Sequence, residues 1–152
     1  MTRPACSLLA FALLLCSCAT TPTEAARDLS VVPVHYLEIV TPDVDETCAA
    51  LAVIHGVTFG ERRAELAGSR MASLVDGGRI GVRAPMGDVE GPVVRIYARV
   101  TDVQAATEAA EAAGGQVAMW PTALPGDEGM FSIYLQGGNE FGLWQPGPIE
   151  AE

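Results

Sequence analysis

One stretch, present in two copies, constrains the fold of this chain more than any other. Val34-His35-Tyr36-Leu37-Glu38-Ile39-Val40-Thr41-Pro42-Asp43 returns as Val94-Arg95-Ile96-Tyr97-Ala98-Arg99-Val100-Thr101-Asp102. In both, an alternating strand runs through a Thr/Asp cap into an Ala-rich helix. The capping aspartates stand 59 residues apart (102 − 43), and the pairs Gly77-Gly78 and Gly137-Gly138 repeat at 60 (137 − 77). Two echoes at nearly one offset mark an internal duplication, which has to be read before any local pattern.

Each copy predicts a βαβββ unit. Val34 to Val40 alternates as a half-buried strand does. Asp43 followed by Glu46 predicts a capping-box helix start, and Gly56 predicts its left-handed end just after His55. The apolar face of that helix is Val44, Cys48, Leu51, Ala52 and His55 at helical spacing, which makes Cys48 a small core residue. Strands are predicted over Val57 to Arg62, Arg70 to Val75 and Ile80 to Ala84. Residues 85–92 read as a linker rich in Pro, Gly and acidic residues. The second copy predicts a strand from Val93 to Val100, a helix from Asp102 to Ala113 and a strand from Gln116 to Met119. A loop over 121–129 and a hairpin of Met130–Leu135 with Glu140–Trp144 complete it. The expected fold class is α+β: two tandem βαβββ modules, 33–84 and 93–146, forming a cupped mixed sheet with helices outside, in one domain over 33–147.

Charge narrows the partners. The formal net charge is −10, and all nine cations are arginine. A chain this acidic is repelled by nucleic acid and offers no polybasic patch for anionic lipid. There is no phosphate loop either: Gly114-Gly115 ends a helix, whereas such a loop opens one. His35 and His55 are the only histidines, and no Ser-His-Asp or Cys-His arrangement is supported.

The N-terminus reads as an address. Met1-Thr2-Arg3 is a short positive start, and 7–15 is an apolar run too short to span a bilayer, which takes about 20 residues. Leu15-Cys16-Ser17-Cys18 resembles the lipobox of bacterial lipoproteins, with Cys18 as the residue lipidated after cleavage. Residues 1–18 are then the signal and 19–32 a polar tether. An ordinary signal peptide cut near Ala19 or Ala26 is the alternative. Several acyl chains on Cys18 would give stable membrane attachment. The resemblance implies a lipid-anchored, periplasm-facing protein of the cell envelope. Ala19 after the cysteine, in place of the aspartate of inner-membrane retention signals, favours the outer membrane. Cys48 would be the only thiol left, so no internal disulfide is available.

The tandem βαβββ pattern resembles the vicinal oxygen chelate superfamily, which includes glyoxalase I, bleomycin- and fosfomycin-resistance proteins and extradiol dioxygenases. Three strings carry the likeness to its glyoxalase-like branch: Glu38–Asp43, Pro121–Gly126 and Gly142–Pro146. The resemblance implies a divalent metal held by His, Gln or Glu on each first strand and a carboxylate on each last strand. Counted back seven residues from the capping aspartates, the first-strand positions hold Tyr36 and Arg95. The last-strand positions hold Gly81 and Gly142. Arginine has no lone pair to offer a metal. The ligand set is absent as aligned, and no cofactor is expected; His35 with Glu140 is the fallback pair for a divalent ion. Strand alternation puts His35 on the helix-packed face or at the frayed strand start.

The face shared by Tyr36, Glu38, Arg95, Tyr97 and Arg99, with Trp144 as a wall, is instead the candidate ligand-binding surface. Arginines fork onto carboxylates and tyrosines supply rings and hydroxyls, which predicts a small anionic or aromatic ligand. Gly81 and Gly142 are expected to leave room for it. A direct Glu38–Arg95 or Glu38–Arg99 pair across the first strands is the plainer alternative. Three functions follow: a membrane-anchored small-molecule binder without an intact metal site, a divergent metal-dependent lyase, isomerase or dioxygenase, or an envelope interaction module with no ligand. A homodimer is compatible with each.

Overall fold

The structure, a computed structural model, describes residues 33–147. The predicted signal, lipidation site and tether lie outside them. Eight strands form one open mixed sheet in the order β2-β3-β4-β1-β5-β8-β7-β6. The first module is β1 (Val34–Val40), α1 (Val44–His55), β2 (Arg62–Arg63), β3 (Ser69–Ser73) and β4 (Arg79–Arg83). The second is β5 (Val93–Arg99), α2 (Val103–Ala112), β6 (Gln116–Leu124), β7 (Gly129–Gln136) and β8 (Asn139–Gln145). The first strands, β1 and β5, pair antiparallel at the centre, and each pairs in parallel with the last strand of its own module.

This register makes the duplication visible. Glu38 lies opposite Gly81 as Tyr97 lies opposite Gly142, so Glu38 and Tyr97 are equivalent. Two residues earlier, Tyr36 and Arg95 are equivalent too, as the aspartate count requires. Across the central pair, Tyr36 faces Tyr97 and Glu38 faces Arg95.

Alternation sorts the two faces of the sheet. On the helix side of the first module, Val44 and Cys48 of α1 pack on Ile80 and Val82 of β4 with Phe59 and Ala72. In the second module the buried Thr107 of α2 meets Ser132 of β7, hydroxyl to hydroxyl, at 2.7 Å, and also donates to the Val103 carbonyl at 2.6 Å. A hydroxyl buried this deeply needs such partners. On the opposite face Tyr36, Leu66, Tyr97 and Trp144 form a second apolar cluster, the base of the cup.

Several local expectations are corrected. Gly56 ends α1 in the left-handed region (φ 66), but Asp43 makes no side-chain cap. Its backbone N–H instead donates to Thr41 Oγ1 at 3.2 Å. Asp102, by contrast, caps α2 through the Ala105 N–H at 3.0 Å. His55 is exposed in the last turn rather than part of the apolar face. The strand predicted over Val57 to Arg62 is confined to Arg62–Arg63. Upstream of it Gly60 is held to β3: its N–H donates to the Met71 carbonyl at 2.8 Å and its carbonyl accepts from Arg70 Nε at 3.0 Å. The loop expected from residue 121 is still strand as far as Leu124. β6 is an edge strand, where Pro121 costs no ladder bond.

Candidate functional site

The concave face encloses a cavity of about 400 Å³ with walls from both modules. Aromatic rings make its base. Tyr36 and Tyr97 lie 5.6 Å apart between centroids, Trp144 is 5.3 Å from Tyr36 and 5.7 Å from Tyr97, and Phe131 is 6.1 Å from Tyr97. These separations are those of favourable tilted and edge-to-face aromatic pairs. Leu66, Met119 and Leu124 extend the apolar wall.

The rest of the site is a chain of alternating charges: Glu90, Arg83, Glu38, Arg95, Glu140. Arg83 donates through Nε to Glu38 Oε1 at 2.7 Å and forks onto Glu90 at 2.8 and 2.6 Å. Arg95 donates through Nη1 to Glu38 Oε2 and through Nε and Nη2 to Glu140, the Nε bond measuring 3.0 Å. The Tyr97 hydroxyl adds a bond to Glu38 Oε2 at 3.1 Å. Glu38, Arg83 and Arg95 are all buried. A buried ion is tolerated only when partners replace its water, and here every one has two or more.

Titration follows from these contacts. The Arg83 fork holds the Glu90 carboxyl at about 2. Burial works against the charge on Arg83 and Arg95, yet the bonds from Glu90 and Glu140 outweigh it and keep both guanidiniums above their usual range. Burial also pushes the Tyr36 hydroxyl up to about 12 and raises Tyr97, so neither is ionised near neutrality.

Of the residues singled out in the sequence, Tyr36, Glu38, Arg95, Tyr97, Glu140 and Trp144 line the cavity together. Arg99 does not. It shares their face by alternation but lies at the end of β5, exposed, and the central pair is Glu38–Arg95. Gly81 and Gly142 leave no room for a ligand, because a Cβ at Gly81 would overlap the Tyr36 ring and one at Gly142 the Tyr97 ring. Three charged members were not predicted, Arg83, Glu65 and Glu90. Arg83 was within reach, since alternation from Gly81 places it on the same face. Glu90 sits between strands and carries no periodic signal.

His35 lies at the irregular start of β1, the second of its two expected placements. The β1–β5 register slips between Val34 and Tyr36, and the extra residue of such a bulge re-aims its side chain. His35 therefore packs on Trp144 at 5.4 Å and meets Arg79 Nη2 at 3.2 Å, and is neither helix-packed nor a cavity wall. Burial, with Arg79 and Arg99 nearby, lowers its pKa to about 4. Arg79 also stacks over Trp144 at 5.3 Å and bonds Glu128, which Arg63 holds from the other side at 2.6 Å.

The donor set does not suit a divalent ion. Among the described residues no three His, Cys, Asp or Glu side chains come together. Where carboxylates do converge, guanidiniums already lie between them: Arg95 joins Glu38 to Glu140, and Arg83 joins Glu38 to Glu90.

No protein-family model and no curated protein sequence matches the chain. Solved structures match its fold. Methylmalonyl-CoA epimerase from Mycobacterium tuberculosis is 19% identical, with a TM-score of 0.57 over 75% of this chain and 87% of that one. The hypothetical protein BH1468 from Bacillus halodurans C-125 is 10% identical, with a TM-score of 0.62 over 79% and 98%. Streptomyces coelicolor methylmalonyl-CoA epimerase in complex with 2-nitronate-propionyl-CoA is 18% identical, with a TM-score of 0.58 over 81% and 100%. These neighbours are members of the vicinal oxygen chelate superfamily. At such identities the likeness establishes the glyoxalase-like fold, and function has to be argued from the site.

Proposed function

We propose that this protein binds a small molecule with an aromatic or apolar body in the cup, tethered at the cell envelope through a lipidated Cys18 and facing the periplasm. The observation that carries the reading is the cavity of about 400 Å³ walled by Tyr36, Tyr97, Phe131 and Trp144. Its volume lies in the usual range for small-molecule sites, about 300–1,000 Å³. The lipobox-like Leu15-Cys16-Ser17-Cys18 supports the tether.

Binding is favoured over catalysis by the state of Glu38. A general base needs a free lone pair near its target. Both Glu38 oxygens instead accept from Arg83, Arg95 and Tyr97. The epimerase neighbours favour one second reading, an isomerase- or lyase-like enzyme. One of those neighbours is in complex with methylmalonyl-CoA. A CoA ester is strongly anionic, and both cup arginines here are already neutralised, so that ligand does not carry over.

The test uses the full chain in non-ionic detergent with Trp120→Phe, leaving Trp144 as the reporter. A library of aromatic small molecules should give saturable changes in its emission, and Ala118→Phe, which fills the cup, should abolish them. Lack of any saturable response sinks the binding reading. Incorporation of an alkyne-tagged fatty acid that Cys18→Ser removes is expected for the tether, and an unlabelled wild-type chain would refute it.

A further inference from the structure

We infer that the ligand of the cup is an organic cation, an amine or ammonium on an aromatic or alkyl-aromatic body, rather than the anion that two inward arginines suggest. This rests on the cup being a small-molecule site. The argument is a count of charges and of unused hydrogen-bonding groups.

Four carboxylates line the cavity, Glu38, Glu65, Glu90 and Glu140, against two guanidiniums, Arg83 and Arg95. The formal charge of the wall is therefore −2 (2 − 4). The arginines are also nearly exhausted as donors. Each guanidinium has five N–H groups. Arg83 uses one on Glu38, two on Glu90 and one on the Ala84 carbonyl. Arg95 uses two on Glu140, one on Glu38 and one on the Tyr97 hydroxyl at 3.3 Å. An incoming anion would find one N–H on each. To gain a fork it would have to displace a carboxylate from a buried guanidinium, which is strongly unfavourable.

Acceptors are in surplus. Both Arg95 bonds to Glu140 fall on Oε2, so Oε1 accepts nothing among the described residues, and the side chain is 38% exposed. Glu65, exposed at the rim, adds a second acidic group. The aromatic walls complete the match, because a cation is attracted to the negative face of Tyr, Phe or Trp. An apolar body on Phe131 and Tyr97 with its charged end at Glu140 uses each of these features.

A matched series isolates the charge: 4-phenylbutylamine, 4-phenylbutanol and 4-phenylbutanoate share one body and differ at one end. Binding is measured by calorimetry on the full chain in non-ionic detergent, with the cup-filled Ala118→Phe protein as the blank for detergent partitioning. The amine is expected to bind tightest and the acid weakest, about tenfold or more apart at low salt, since the two differ by two unit charges a few ångströms from a net negative wall. Raising the salt should narrow the gap. Glu140→Gln and, independently, Glu65→Gln should each weaken the amine several-fold more than they weaken the alcohol. Glu65 makes no ion pair among the described residues, so its variant keeps the test open should Glu140→Gln unfold. Equal affinities, or the acid or alcohol binding tightest, would overturn the cation assignment while leaving the cup a binding site. No binding above the blank by any of the three would overturn both.

Discussion

Tyr36 occupies the space that a side chain at position 81 would take, and Tyr97 does the same above Gly142. The two contacts are related by the duplication, and together they replace a possible ligand position on each last strand with a ring from a first strand. Neither glycine has a positive φ, so a substitution there tests space alone. Gly81→Ala and Gly142→Ala should each destabilise by about 1–3 kcal/mol, the usual penalty for overpacking a core. Urea unfolding would measure it. Adding Tyr36→Leu to Gly81→Ala should recover part of the loss, a coupling expected only of residues in contact. Purely additive losses would show that the ring does not fill that site.

Glu38 is the shared carboxylate of two buried guanidiniums, so Glu38→Gln should cost more than either outer substitution. Breaking a buried pair typically costs about 3–5 kcal/mol because a charge is stranded. Arg83 and Arg95 keep Glu90 and Glu140, which places the expected loss near the lower end. Glu140→Gln, at a partly exposed end of the chain of charges, should cost about 1 kcal/mol or less. Denaturant midpoints of the two variants give the comparison, and equal losses would contradict the central role of Glu38.

The division between what the sequence reveals and what it hides follows from periodicity. Tyr36, Glu38, Arg95 and Tyr97 were readable because alternation over a paired strand assigns faces, and the duplication fixes which positions correspond. Arg83 obeys the same rule from Gly81. Glu90 and Glu128 do not, since they lie outside the strands, where only the folded path brings them to Arg83 and Arg79. The displaced His35 depends on one extra residue in the ladder, for which the alternating pattern carries no mark. The expectation of an anionic or aromatic ligand rests on the arginines and tyrosines of one face; that both arginines are already paired with carboxylates is visible only in the fold.

His35 gives a pH dependence whose sign is fixed. Its folded pKa of about 4 lies below the ordinary 6.5, so between these values the unfolded chain binds more protons than the folded one. Stability therefore rises with pH across that window. Acidification from 6.5 to about 4 should lower the unfolding free energy, with no further loss from this group below 4. NMR should place the His35 titration near pH 4, and His35→Phe, which keeps a ring on Trp144, should flatten the stability profile between 4 and 6.5. A His35 midpoint near 6.5 would contradict its packing against Trp144 and Arg79.

Metal addition tests the chain of charges from another side. Arg95 lies between Glu38 and Glu140, where a divalent ion would need to sit, and a fixed guanidinium repels it. The full chain treated with EDTA and then given Mn²⁺, Co²⁺, Ni²⁺ or Zn²⁺ should show no saturable rise in unfolding temperature. An ion bound only by the native state at 100 times its dissociation constant would add about 2.7 kcal/mol, which is readily seen. Arg95→Ala should change the outcome, because it frees Glu140 and removes the guanidinium from between it and Glu38 Oε2. A stabilising response to a divalent ion should then appear, and Glu140→Gln in the same background should remove it. Saturable stabilisation of the wild type that His35→Ala abolishes would instead restore the metal-enzyme reading.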